Sequence, residues 1–218
     1  MRCSILGIHV STFVALTLLS TSITAQAQKS DRASAQGAVT HTHYDDEKDR
    51  YLTQGQVQID VPLDRLCEVA GDFVSYGQWT LYSINNRPEG GRFTILLKAV
   101  DYERTADSNH GVFNVKYDLD VIWPFGRTDQ VIPFVIHKAV KRPEGGVDHL
   151  EIVLGNDSLL LDTFKVILLA SGDAKKSVIR FKSEVAFASL VNPFFNLAGF
   201  RKNIEWRIVR VLKNLKRR

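Results

Sequence analysis

Phe200-Arg-Lys-Asn-Ile-Glu-Trp-Arg-Ile-Val-Arg-Val-Leu-Lys-Asn-Leu-Lys-Arg-Arg218 closes the chain and decides how the rest of it folds. Leu197, Phe200, Ile204, Ile208, Val211, Leu212 and Leu215 recur at steps of three or four, so they share one face of a helix. Lys202, Glu205, Arg207, Arg210, Lys213 and Lys216 stand between them and are expected to keep the opposite face wet. A single terminal helix of this length must bury its stripe, and the segments upstream of it read as strands.

Residues 51–61 alternate, with Val57, Ile59 and Val61 on one side and Gln56, Gln58 and Asp60 on the other. Pro62 ends this strand, and 63–76 read as one or two short helices with Leu66, Val69, Ala70 and Phe73 inward. A polar turn at 85–91 follows. Six strands come next: 92–103, 111–122, 129–142, 148–154, 158–170 and 176–188. The clearest is the third of the seven, with Phe113, Val115, Tyr117, Leu119 and Val121 against Asn114, Lys116, Asp118 and Asp120. Turn signals at short intervals, such as Pro143-Glu-Gly-Gly146, mark an antiparallel meander. The fold class is therefore α+β: a curved seven-stranded antiparallel sheet around one long C-terminal helix.

At 218 residues, 44% hydrophobic and 24% charged, the chain suits one globular domain. Its start reads differently. Arg2, the apolar run 13–19 and Ala25-Gln-Ala27 have the layout of a secretory signal peptide over 1–27, with export to a bacterial periplasm or the medium as the expectation. Residues 28–50 are poor in apolar side chains and read as a flexible leader before a domain at 51–218. His41, His43, Asp45, Asp46 and Glu47 have metal-ligand chemistry, but in such a leader the expectation is no metal site. Cys67 is alone once Cys3 leaves with the signal, and reads as a small buried apolar residue.

Arg201, Lys202, Arg207, Arg210, Lys213, Lys216, Arg217 and Arg218, against the one acid Glu205, concentrate the basic character in the last helix. Lys202, Arg207, Arg210 and Lys213 are candidates for transient contact with anionic lipid headgroups. Export and the absence of interleaved stacking aromatics argue against nucleic acid.

The segment Val57-Gln-Ile-Asp-Val-Pro-Leu-Asp-Arg-Leu-Cys-Glu-Val-Ala-Gly-Asp-Phe-Val-Ser-Tyr-Gly-Gln-Trp79, with Asp72, Phe73, Tyr76 and Trp79 in an Asp-Phe-x-x-Tyr-x-x-Trp pattern, resembles the opening of the START, Bet v 1 and polyketide-cyclase-like (SRPBCC) helix-grip superfamily. The element order over 51–217 resembles it too. The resemblance implies a cavity between sheet and helix for lipids or other hydrophobic metabolites. Its lining would be Phe93, Ile95, Leu97, Phe113, Val115, Tyr117, Leu119, Phe181, Ser183, Val185, Phe200, Ile204 and Ile208. Trp123, Phe125, Phe194 and Phe195 would rim the entrance. The alternative is that the same apolar residues fill a solid core.

Catalytic chemistry needs convergent polar groups, and few are available. Tyr117 and Ser183 fall on inward positions; Asp101, His137 and Asp162 do so only if their strands take the register that turns them in. No nucleophile elbow, phosphate loop or zinc motif is present, so no catalytic residue and no cofactor is assigned. The expected function is an exported, non-enzymatic binding or carrier protein for a hydrophobic small molecule such as lipid; the alternatives are a cyclase-, aromatase- or hydrolase-type enzyme of the same superfamily and a protein-interaction module with a filled core.

Overall fold

The structure is a computed structural model and describes residues 38–85, 93–104, 111–121, 126–156, 158–189 and 191–216. The signal-peptide segment and the two entrance candidates Trp123 and Phe125 lie outside those residues.

The strands are β1 (Ala38–Asp45), β2 (Arg50–Ile59), β3 (Phe93–Arg104), β4 (Gly111–Val121), β5 (Arg127–Lys141), β6 (Val147–Leu154), β7 (Leu161–Gly172) and β8 (Ser177–Phe187). The helices are α1 (Leu63–Ala70), α2 (Tyr76–Trp79) and α3 (Leu197–Lys216). All eight strands join one antiparallel sheet in the order β1-β2-β8-β7-β6-β5-β4-β3. Strands β3 to β8 meander, and β2 closes beside β8, so the chain crosses from one side of the sheet to the other through α1 and α2. This is the helix-grip α+β architecture expected, with one strand more than the seven read from sequence.

The extra strand comes from the supposed leader. β1 pairs with β2 from Ala38↔Val57 to Asp45↔Arg50. Its inward positions are Thr40, Thr42 and Tyr44, while His41 and His43 point outward. β-branched threonines suit a pleated, half-buried surface, but they leave too little apolar signal for a strand to stand out.

Register shifts interrupt the ladders at Leu97/Ala99, Tyr117/Leu119, Ile136/Lys138, Val140/Lys141 and Leu161/Thr163. Bulges of this kind bend strands and increase their twist, which curves the sheet. The one in β3 also corrects the expected alternation: after Leu97 the inward side chain is Val100, not Ala99. One extra residue swaps the faces.

The β5–β6 turn fixes α1. Gly145 and Gly146 have φ of 99° and 77°, a conformation glycine adopts without steric cost. A Cβ on Gly146 would stand 2.4 Å from the Cys67 carbonyl, so the turn rests directly on α1. Arg142, just before that turn, bonds Asp64 at 2.7 Å. Cys67 is buried, and that burial is the main cause of its raised thiol pKa. It is a packing residue.

α3 is held at both ends. Asn196 Oδ1 accepts the Gly199 amide at 2.8 Å and caps the first turn. The Phe200 ring stacks on Tyr51 at 4.2 Å, and Arg201 Nη2 donates to the Thr42 carbonyl at 2.9 Å. Near the other end, Asn214 Nδ2 donates to the Tyr82 carbonyl at 2.9 Å, just beyond α2.

Candidate functional site

The inward face of the sheet is a continuous apolar surface. Ile95, Leu97, Phe113, Val115, Leu119, Ile132, Phe134, Ile152, Phe164, Val166, Phe181 and Val185 are all buried in one cluster, which takes in Phe200 and Val211 of α3. Of the expected lining, Ile95, Leu97, Phe113, Val115, Tyr117, Leu119, Phe181, Ser183, Val185 and Phe200 thus belong to the interior. The side chains of Phe93, Ile204 and Ile208 lie outside what is described. Phe113 is enclosed by the rings of Phe73, Tyr76 and Tyr102 at 5.1, 6.3 and 5.5 Å. Of the entrance pair, Phe194 is 38% exposed, whereas Phe195 is buried flat on Phe187 at 3.6 Å.

Polar groups in this interior are few, and each is informative. Burial alone raises the Tyr117 phenol from its ordinary 10.0 to about 12. Tyr51 is also pushed to about 12, by burial first and then by Tyr44 and Asp49. A raised folded-state pKa means stability that is complete below pH 10 and lost as pH rises through 12. Alkaline titration followed by circular dichroism should therefore show unfolding concentrated in that window, and Tyr117→Phe should move it upward. An unchanged window in Tyr117→Phe would exclude this phenol as a contributor.

Among the described residues, the inward side of α3 carries polar as well as apolar side chains. Its buried positions are Phe200, Asn203, Arg207, Val211 and Asn214, spaced by three or four and so on one side of α3. Asn214 is explained by its bond to Tyr82, and Asn203 Nδ2 donates to the Gly199 carbonyl at 2.6 Å. Arg207, only 2% exposed, is the one charged side chain among the buried described residues. This corrects its assignment to the wet face. The helix phase set by Phe200 on Tyr51 carries position 207 inward, whatever its charge. Lys202 is exposed and Arg210 half-buried, with its guanidinium 5.3 Å from the Trp206 ring centroid. The Lys213 side chain is not described.

Under the N-terminal part of α3 lies a row of hydroxyls. Thr42, Thr53 and Ser183 are cross-strand neighbours on β1, β2 and β8, and all are buried. Thr42 Oγ1 and Thr53 Oγ1 bond to each other at 3.1 Å. Ser183 Oγ is buried with no hydrogen-bond partner among the described residues. Of these, sequence reading found Ser183 alone; the inward threonines of β1 and β2 show only once the two strands are paired.

Asp101, His137 and Asp162 are exposed on the outward face. Their strands take the register that turns Val100, Ile136 and Leu161 inward. Among the described residues no three His, Cys, Asp or Glu side chains converge on a metal position, and no helix is long and apolar enough to cross a membrane.

No family model and no curated protein matches the chain. Among solved structures it is similar to a STAR-related lipid transfer protein from Xanthomonas axonopodis, at 14% identity and a TM-score of 0.47, over 84% of this chain and 97% of that one. It is similar also to the Zhui aromatase/cyclase from Streptomyces sp. R1128, at 13% identity and 0.45, over 83% and 95%. A third is norcoclaurine synthase from Thalictrum flavum, at 10% identity and 0.39, over 79% and 96%. None of these likenesses reaches a TM-score of 0.5.

Proposed function

We propose that this chain binds or carries a hydrophobic small molecule of the lipid kind, held between the concave face of the sheet and α3. The observation that carries this reading is the inward face of α3, where Asn203 and Arg207 are both 2% exposed opposite an apolar sheet. Taking polar side chains out of water costs free energy. A space that receives an amphiphilic guest has use for polar groups on one wall. Acid–base catalysis finds less support, since His137 and Asp162 stand on the outward face.

Export through the segment at 1–27 belongs to the same reading, and is supported by its charged start, apolar run and Ala25-Gln-Ala27. Lys202, Arg210 and Lys213 would provide transient contact with anionic membrane, each contributing about 1 kcal/mol near such a surface.

Native mass spectrometry of residues 28–218, purified without detergent from the medium or periplasm and then extracted with organic solvent, tests the proposal. The expected result is a discrete co-purifying apolar molecule, lost when Phe181 is changed to Ser. A clean unliganded mass that also resists loading with lipids would overturn it in favour of an interaction module.

A further inference from the structure

We infer that the hydroxyl row Thr42–Thr53–Ser183 is the recognition point for a neutral oxygen-bearing end of the ligand, a hydroxyl or a carbonyl. This rests on the ligand-holding function proposed above and adds to it the chemistry of the head group and its place.

The row is built from three strands. Thr42 lies opposite Thr53, and Thr53 opposite Ser183, so three small polar side chains cross β1, β2 and β8 in line. Apolar or aromatic walls flank it on both sides. Two residues along β2 in one direction, Phe181 lies across Gly55: a Cβ there would stand 2.7 Å from the Phe181 ring and 2.6 Å from the Val39 carbonyl oxygen. Glycine is required for that close approach, and the ring fills the space a side chain would take. Two residues in the other direction, Tyr51 carries the Phe200 ring. The hydroxyls therefore sit in a slot between two aromatic surfaces, each roughly 7 Å away along the strand.

A proton count shows what the slot lacks. Each hydroxyl has one proton to donate and two lone pairs to accept with. The Thr42–Thr53 bond uses one proton of the pair, and Ser183 Oγ, at 3% exposure, has no partner among the described residues. The large majority of buried side-chain polar atoms in folded proteins are paired, and an orphan beside two other hydroxyls points to a partner. Here the missing partner is a group that accepts the Ser183 proton, as a carbonyl or a hydroxyl oxygen does. No charged side chain among the buried described residues belongs to β1, β2 or β8, so a full charge placed there would find no counter-charge on the sheet. The cation beside the row, Arg201, is already engaged by the Thr42 carbonyl at 2.9 Å, and Arg207 lies two turns beyond Phe200, roughly 10 Å further along the helix.

The test is competition against the neutral apolar fluorophore N-phenyl-1-naphthylamine, using 1-decanol and 1-chlorodecane as matched guests. Wild type is expected to bind the alcohol about 5- to 10-fold tighter than the chloride, the worth of one net hydrogen bond. In Ser183→Ala that preference should fall below about twofold while fluorophore affinity is kept. Ser183→Ala without guest should melt no lower than wild type, since only an unpaired group is removed. Should that variant fail to fold, Thr53→Val keeps the shape of the slot and carries the same comparison. Equal preference for the alcohol in wild type and variant would overturn the inference and leave hydrophobic binding intact. No binding of the fluorophore or either guest to wild type would overturn both.

Discussion

Phe113→Ala is expected to lower the stability of the folded chain by about 3–5 kcal/mol, the range for truncating a buried aromatic ring. Phe113 is fully buried on β4 and touches Phe73, Tyr76 and Tyr102. Those rings come from the segment between α1 and α2, from α2 itself and from β3, so one side chain ties the helical crossover to the sheet. Its removal would loosen the wall that sets the position of α2, and through Asn214 the far end of α3. Urea denaturation should show a lower midpoint with an unchanged slope. Phe113→Leu should cost much less, because most of the volume is kept. A loss under 1 kcal/mol for Phe113→Ala would mean that the ring borders open space.

Much of the fold could be read from the chain because period-2 alternation in 111–121 and 177–187 is strong and the final helix is long. β1 could not, since Thr40, Thr42 and Tyr44 form an inward face only against β2; alone they resemble a polar leader. The bulge at Leu97/Ala99 was invisible for a different reason: composition does not record where a ladder slips by one residue. In the site, Phe181, Ser183 and Phe200 were legible from strand and helix periodicity. The threonines that complete the hydroxyl row were not, because their bond joins residues brought together only by the β1–β2 hairpin. Arg207 was misplaced because charge is the usual marker of an exposed face. Its burial follows from helix phase, which is fixed by Phe200 at one end and Asn214 at the other.

Arg207 supplies the other large effect. Arg207→Glu is expected to cost about 3–5 kcal/mol, the scale of an uncompensated buried charge. The described buried side chains offer no cation to receive a new carboxylate, and rotating α3 to expose it would separate Phe200 from Tyr51 and Asn214 from Tyr82. Arg207→Met keeps the length of the side chain and adds no buried carboxylate, so it should cost clearly less than Arg207→Glu. The pair separates two positions for this guanidinium. If it faces the interior, Glu and Met differ widely in thermal melting, and neither variant changes whatever response wild type gives to anionic vesicles, because Lys202 and Arg210 still provide the outer charge. If it faced solvent, the two would melt alike and both would weaken vesicle binding. The buried stripe of α3 requires the first outcome: the described basic residues of the last helix then divide between an outer surface and a single buried cation.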